Sequence, residues 1–136
     1  MADPRTENVR TALAWLAAVN DRDWEALAAV SAPDILMHHP LGSARGLGML
    51  RGWFEAIDMR VEPVRVYEEG GGVLVEHRAR WVDPAGKVSP ERTVATILDV
   101  QDGRVTTYRR SEAGEGLLDQ FGFEPADEVP FRIERH

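Results

Sequence analysis

The feature of this 136-residue chain that most constrains its fold is a change in the spacing of its apolar residues near Asp58. Before Asp58, apolar residues recur every three or four positions, which is typical of helices with one buried face. After Asp58, apolar and polar residues alternate, which is typical of strands in a half-buried sheet. A block of helices followed by a block of strands predicts an α+β fold.

Helix signals are concentrated at the N-terminus. Asp3 followed by Pro4 predicts a helix start, with a capping carboxylate and then proline at the first helical position. Asp21 and Asp23 can cap a second helix, and Pro33 would end it because proline cannot continue a helix. We therefore expect two helices in the first third of the chain.

A short strand at 35–39 and a loop at 42–46 are expected next. A third helix follows the loop, and its apolar positions are Leu47, Leu50, Trp53, Phe54 and Ile57. After the change of period we expect strands at 61–67, 73–81, 92–100 and 104–112. Pro63 predicts an edge or a bulge, since proline cannot donate to a strand ladder.

Turn signals separate the strands, with three glycines at 70–72, Asp-Pro-Ala-Gly at 83–86 and Asp-Gly at 102–103. Asp-Gly between two alternating segments favours a tight hairpin. A short helix is expected at 117–121. We expect one domain over residues 1–122, followed by a polar tail over residues 123–136.

Charge and composition exclude several classes of function. With 16 basic and 23 acidic residues the formal net charge is −7, which disfavours nucleic acid and anionic membrane as partners. The chain has no cysteine, so disulfides, thiolate nucleophiles and cysteine metal sites are excluded. No apolar segment approaches the roughly 20 residues of a membrane helix, and the N-terminus lacks signal-peptide features. We expect a cytoplasmic protein.

Four segments form one consistent pattern, WLAAVN at 15–20, DWEAL at 23–27, ILMHHPLG at 35–42 and RGLGMLRGWF at 45–54. Together they resemble the nuclear transport factor 2-like superfamily, and the SnoaL-like polyketide cyclases and ketosteroid isomerases in particular. The resemblance covers residues 7 to about 122. It implies N-terminal helices packed in the concave face of a curved, mostly antiparallel sheet, a cone-like α+β barrel. Relatives commonly dimerise through this sheet, so a homodimer is expected.

The resemblance does not extend to the acid–base residues of ketosteroid isomerases. Their oxyanion-holding tyrosine falls on Trp15, and their general-base aspartate falls on His39. Their protonated aspartate falls near Thr96, and Asp99 is three residues further on with opposite strand parity. All three positions differ from that pattern, so we expect no steroid isomerisation by that mechanism.

Strand parity predicts the wall of the pocket, because alternate side chains of a strand share a face. By the resemblance, the face that carries Val75 and Tyr108 points into the cone. The predicted ligand-binding residues are Trp15, Val19, Met37, Trp53, Phe54, Ile57, Val75, Trp81, Thr96 and Leu98. The predicted catalytic residues are His39, His77, Tyr108, Arg110 and Glu112. His38 has the opposite parity and is expected to face outward.

Each catalytic candidate has a chemical and a structural interpretation. His39 would be the base, since histidine exchanges protons near neutral pH, or a loop-edge histidine bonded to backbone. His77 would be its acid partner or a substrate hydrogen-bond donor, or a satisfied sheet histidine. Arg110 and Glu112 would hold a substrate oxygen and move a proton, or form a buried structural pair. Tyr108 would donate to a carbonyl, or belong to the core.

Two hypotheses about function follow from this pattern. The first is a cofactor-independent isomerase, cyclase or dehydratase that transfers protons on a hydrophobic oxygenated substrate. The alternative is a non-catalytic ligand-binding or dimeric accessory domain of the same fold. A protein-interaction module using the convex sheet face is a third possibility. Two histidines and Glu112 raise the question of a metal, but no local ligand motif is present, so neither a metal nor another cofactor is expected.

Overall fold

The sheet and helices are seen in a computed structural model, which describes residues 6–39 and 42–130, with residue 39 described by its backbone alone. The helices are α1 (Glu7–Asn20), α2 (Trp24–Ala29), α3 (Leu47–Ala56) and α4 (Leu117–Phe121), with a 3-10 turn at Pro125–Asp127. The strands are β1 (Ser31–His39), β2 (Gly42–Arg45), β3 (Met59–Glu69), β4 (Gly72–Trp81), β5 (Arg92–Gln101), β6 (Arg104–Glu112) and β7 (Glu128–Val129).

One curved sheet carries all the described strands, in the order β2-β1-β6-β5-β4-β3-β7. Neighbouring strands are antiparallel except for β1 and β6, which run parallel. Helix α1 packs against β3, β4, β5 and β6, and α3 packs against β1. The predicted α+β architecture, with helices on the concave face of a mostly antiparallel sheet, is confirmed.

The first two helices differ from prediction at one end each. Helix α1 begins at Glu7, and its cap is Thr6, whose side chain accepts from the Val9 amide, so the cap predicted at Asp3 is wrong. Asp3 and Pro4 lie outside the described residues. Asp23 caps α2 as predicted, by accepting from the Ala26 amide.

Pro33 does not end α2, because the helix already ends at Ala29 and Pro33 lies within β1. The pairing of β1 with β6 is irregular between Ser31 and Leu36. A proline is tolerated there because the ladder is already interrupted. The predicted strand at 35–39 is therefore longer than expected, and only its regular C-terminal part was recognised.

The loop predicted at 42–46 is also wrong, since residues 42–45 form β2, an edge strand antiparallel to β1. Met37 pairs with Ala44, and His39 pairs with Gly42. The segment GSAR has no alternation of apolar and polar residues, so its sequence carries no strand signal. Backbone pairing with β1 supplies the stabilisation that the side chains do not.

The long strands agree with prediction to within a few residues. Pairing of β3 with β4 shifts register between Pro63 and Arg65, which confirms the bulge predicted at Pro63. Asp102 and Gly103 have φ angles of 53° and 74°, as a two-residue hairpin turn with matching twist requires. Correct turns and bulges set the register, and register decides which side chains face the cone.

Part of the predicted tail joins the sheet instead of extending away from it. Val129 pairs with Val66, so β7 covers the outer edge of β3. Phe123 is buried on the convex face in a cluster with Tyr67 and Leu117. Residues 131–136 lie outside the described residues. None of the described helices combines the length and apolarity needed to cross a membrane.

Candidate functional site

The deep half of the concave face is closed core. The side chains of Val75, His77, Thr96 and Leu98 have no exposed surface, and Val19 has 1%. The predicted inward parity of β4 and β5 is thus confirmed, but the helices seal these positions from solvent. These residues lie below the concave surface. A ligand could contact them only if the surrounding core side chains repacked.

His77 is a core residue in which only one of the two ring nitrogens has a hydrogen-bond partner within the described residues. Its Nε2 lies 2.8 Å from Thr96 Oγ1, while Nδ1 has no hydrogen-bond partner of good geometry among the described residues. Burial lowers the pKa of His77 to about 4, against a small opposing effect of the Arg78 backbone and with a further lowering by the charge of Arg110. At neutral pH the imidazole is uncharged, so it does not carry the extra proton that a general acid partner needs.

A cavity of about 370 Å³ opens toward solvent at the mouth of the cone. Its walls come from β1, α3 and β6, and the lining residues are Met37, His38, Trp53, Ala56, Ile57, Tyr108 and Arg110. Its size lies in the range of about 300–1,000 Å³ that is usual for small-molecule sites. Ala56 is the lining residue that sequence reasoning missed; its only signal is its position one helical turn after Trp53.

Three aromatic rings hold this wall in place. The ring centroids of Trp15 and Tyr108 are 5.2 Å apart, and those of Trp15 and Trp53 are 5.8 Å apart. Trp15 is fully buried, and its Nε1 donates to Ser31 Oγ at 2.9 Å. Trp15 therefore lies behind the wall and orients the rings of Trp53 and Tyr108, which face the cavity.

Tyr108 brings a neutral hydrogen-bond donor to the cavity. The residue is 4% exposed, and burial raises its pKa to about 12, partly opposed by the positive charge of Arg110. Its hydroxyl makes no hydrogen bond to any residue that the structure describes. The phenol is protonated at neutral pH and is available to a ligand oxygen.

Arg110 lies at the cavity rim and is exposed. Its guanidinium carbon is 5.2 Å from the centroid of the Trp81 ring, which places a cation over an indole face. Within the described residues it has no carboxylate partner. The buried structural pair of Arg110 with Glu112, one of the two interpretations of these residues, is not formed, because Glu112 is exposed and pairs with Arg92.

Of the two neighbouring histidines of β1, the structure describes the side chain of His38 and only the backbone of His39. His38 borders the cavity, but its imidazole ring lies toward the convex side as predicted, since Nδ1 is 3.1 Å from Ser43 Oγ and Nε2 is 3.2 Å from an Arg109 nitrogen. His39 ends β1, opposite Gly42, and its side chain lies outside the described residues. Its role as the base therefore stays a prediction.

The structure divides the predicted ligand-binding residues by depth. Met37, Trp53 and Ile57 line the cavity, and Trp81 stands at its mouth beside Arg110. The other predicted residues belong to the core behind it, and they are Trp15, Val19, Phe54, Val75, Thr96 and Leu98. Of the predicted catalytic residues, Tyr108 and Arg110 meet at the cavity, whereas His77 is buried below it and Glu112 lies outside it.

Two other cavities lie outside this site. A space of about 420 Å³ under residues 82–90 shares Ala56 and Ile57 with the first cavity. A groove of about 700 Å³ lies on the convex face, near residues 69–72, Asp99 and Arg109. The groove is larger, but the stacked aromatic rings and the donor hydroxyl belong to the concave cavity. No three histidine or acidic side chains of the described segments lie close enough to hold a metal ion.

Comparison with known proteins supports the same architecture. The profile of the SnoaL-like domain family matches residues 12–108. An NTF2-like protein of unknown function from Burkholderia pseudomallei superposes with a TM-score of 0.69 at 21% identity, covering 80% of this chain and 92% of that one. TerC, co-crystallised with polyporic acid, has a TM-score of 0.69 at 21% identity, covering 79% and 92%. An LEH-like epoxide hydrolase from M. tuberculosis has a TM-score of 0.68 at 21% identity, covering 76% and 80%. No curated protein matches this sequence.

Proposed function

This chain belongs to the SnoaL-like domain family, and we propose that it is a cofactor-independent enzyme that moves a proton beside a carbonyl of a hydrophobic oxygenated molecule. Isomerisation, cyclisation and dehydration are reactions of this kind. The observation that carries the proposal is the unpaired, protonated hydroxyl of Tyr108 in the wall of an apolar cavity. The similarity to an epoxide hydrolase and to a protein crystallised with a small organic acid is consistent with a small-molecule substrate.

Tyr108 would stabilise the charge that develops during proton removal. When a proton leaves the carbon beside a carbonyl, negative charge grows on the carbonyl oxygen. A donor that is fixed in place before the reaction stabilises that charge without reorganising. With a pKa of about 12, Tyr108 keeps its proton while it donates. Arg110, at the rim of the same cavity, adds positive charge on that side.

His39 is the proposed base. It follows Met37 by two residues in β1, and Met37 lines the cavity, so strand alternation assigns residue 39 to the same face in the sequence pattern. His77 is not assigned a step, because it is fully buried and neutral at neutral pH. Glu112 is not assigned a step either, because its carboxylate is exposed and paired with Arg92.

Ligand binding without turnover is the second candidate function. One observation favours it: the two further acid–base groups predicted from the sequence, His77 and Glu112, are respectively sealed in the core and turned to solvent. In that case Tyr108 and Arg110 would fix the orientation of a bound molecule, and no group would exchange its proton. We also retain the expected cytoplasmic homodimer as a proposal, which light scattering and cell fractionation would test.

The test combines ligand screening with turnover. Wild type, His39→Ala and Tyr108→Phe are screened by thermal shift against lipophilic ketones, enones, phenols, lactones and epoxides, and every hit is analysed for products. Tyr67→Phe is the matched control, because Tyr67 is also buried but belongs to the convex cluster. We expect Tyr108→Phe to lose about 10²–10³ in kcat and His39→Ala to lose about 10²–10⁴.

The outcomes separate the two candidates. Turnover by wild type and by Tyr67→Phe, with loss in the other two variants, supports the enzyme. Full activity of His39→Ala removes His39 as the base, and full activity of Tyr108→Phe removes the oxyanion assignment. Stabilisation by ligands with no product from any variant establishes the binding protein instead.

A further inference from the structure

Arg110 lines the cavity, and its guanidinium has no carboxylate partner within the described part of the chain. On β4, two strands away, the arginines are paired, since Arg78 lies 3.3 Å from Glu62 and Arg80 lies 3.0 Å from Glu91. Arg92 pairs with Glu112, which removes the carboxylate nearest to Arg110 in sequence. Other described arginines, among them Arg104 and Arg109, also have no carboxylate partner, but of these Arg110 is the one that lines the concave cavity.

The guanidinium of Arg110 is oriented by an aromatic ring. Both Arg110 and Arg92 lie over the Trp81 indole, with guanidinium carbons 5.2 Å and 5.6 Å from its centroid. Stacking uses the face of the guanidinium and leaves its N–H edges free for a planar acceptor. Its charge also reaches the cavity, because it contributes to lowering the pKa of both Tyr108 and His77.

The rest of the cavity suits a flat apolar body. Trp53, Met37 and Ile57 supply aromatic and aliphatic wall, and Tyr108, two residues before Arg110 on β6, supplies a hydroxyl donor. A second cavity, of about 420 Å³, shares Ala56 and Ile57 with the first. An apolar chamber with one unneutralised cation at its rim matches a molecule that is aromatic at one end and anionic at the other.

We infer that the site binds aromatic carboxylates, with the carboxylate on the N–H edge of Arg110 and the rings against Trp53 and Ile57. This inference rests on the concave cavity of the proposed function, and it narrows the substrate class from hydrophobic oxygenated molecules to aromatic acids. Arginine and carboxylate form two parallel charge-assisted hydrogen bonds, which fixes the orientation of the ring system relative to Tyr108.

The experiment compares matched acids and amides by calorimetry at pH 7.5. The probes are benzoic, 1-naphthoic, 2-naphthoic and anthracene-2-carboxylic acids, each with its primary carboxamide, which has the same shape and no charge. The proteins are wild type, Arg110→Met, Arg110→Lys and the control Arg109→Met. Arg109→Met makes the same charge change on the next residue, whose side chain contacts His38 and Phe121 on the opposite face.

We expect wild type and Arg109→Met to bind at least one acid about 10- to 100-fold more tightly than its amide, as a hydrogen-bonded charge pair predicts. Arg110→Met should lose this preference and keep its affinity for the amide. Arg110→Lys should retain part of the preference, since lysine keeps the charge and loses the bidentate geometry. The acid preference should also fall with added salt, because the rim is exposed.

Failure of this inference is distinguishable from failure of the proposed function. If amides bind as well as acids in wild type, or if Arg110→Met retains the preference, the cavity stands and the carboxylate inference is overturned. If Arg109→Met loses the preference as Arg110→Met does, the effect is one of net charge, and the assignment to Arg110 is overturned. If no acid and no amide binds wild type but a ketone, enone, phenol, lactone or epoxide does, the carboxylate inference is overturned and the proposed function stands. If nothing in either set binds, both proposals are wrong.

Discussion

The deep half of the concave face and its mouth are built from the same strand faces but have different chemistry. In the deep half, His77 Nε2 lies 2.8 Å from Thr96 Oγ1, only His77 Nδ1 of this pair is left without a partner among the described residues, and neither residue has exposed surface. At the mouth, Tyr108 and Arg110 have no hydrogen-bond partner among the described residues and border a cavity of about 370 Å³. Polar groups that are paired at depth stabilise the fold, and polar groups that are left unpaired at the mouth are available to a ligand.

The difference arises from where the helices end. Helix α1 crosses β3 to β6 and closes the deep half, whereas α3 packs mainly against β1 and β2. The last turn of α3 and the following residue, Ala56 and Ile57, form one wall of the opening. Strand parity therefore identifies the face of a side chain, and helix packing decides whether that face is core or site.

Replacement of Trp15, in the core, and of Trp81, at the mouth, should give the largest difference in the free energy of unfolding. Trp15→Ala should lower the free energy of unfolding by about 3–5 kcal/mol, because it removes a fully buried ring that stacks on two others. Trp81→Ala, at the partly exposed mouth, should cost about 1 kcal/mol. Urea denaturation of both variants measures the difference, with Trp15→Phe as a milder variant. Equal losses of stability in Trp15→Ala and Trp81→Ala would mean that Trp81 is part of the core.

The pH dependence of stability should be the next largest effect, and His77 is its source in the deep half. Its pKa is about 4 when folded and 6.5 when unfolded, so the unfolded chain binds more protons between these values. The free energy of unfolding should therefore fall as pH drops from 6.5 to 4, by roughly 3 kcal/mol in total.

Urea denaturation of wild type and His77→Gln at several pH values from 4 to 7.5 measures this contribution, because carboxylates common to both proteins cancel in the difference. Wild type should lose more stability than the variant as pH falls. If the free energy of unfolding changes equally with pH in the two proteins, His77 is accessible to solvent. It would then again be a candidate acid of the site.

The ion pair outside the mouth should give the smallest effect. Arg92 and Glu112 are both more than half exposed, with side-chain accessibilities of 54% and 69%. A double-mutant cycle with Arg92→Gln and Glu112→Gln should give a coupling of about 0–1 kcal/mol, as is usual for solvent-exposed pairs. Turnover of Glu112→Gln is measured on the same samples. A loss of turnover without a loss of stability would place Glu112 in the catalytic site after all.

Much of the fold follows from local patterns. The capping carboxylate of Asp23, the bulge at Pro63 and the Asp102-Gly103 hairpin each depend on a few neighbouring atoms, so the sequence predicts them correctly. The errors occur where long-range pairing provides the stabilisation. Strand β2 exists because β1 lies beside it, and the first half of β1 exists because β6 does.

The candidate site is predictable in part for the same reason. Alternation along β6 places Tyr108 and Arg110 on the concave face, and that depends only on strand geometry. The choice of Arg92 rather than Arg110 as the partner of Glu112 depends on the register of β5 and β6, which places Glu112 opposite Val94, two residues from Arg92. The role of Ala56 has no sequence signal beyond its position one helical turn after Trp53, because a small apolar residue becomes a cavity wall only through its surroundings.

The sequence by itself determined the order of the helices and of the longer strands, the family resemblance, and the face on which the residues of β4, β5 and β6 lie. These depend on residue spacing and on local turn chemistry, which act over a few positions. The tertiary structure alone decided depth: that His77 is buried and neutral, that Trp15 supports the wall from behind, and that Tyr108 and Arg110 meet at an open cavity. Depth depends on contacts between residues far apart in the chain, and desolvation, which shifts the pKa values, follows from those contacts.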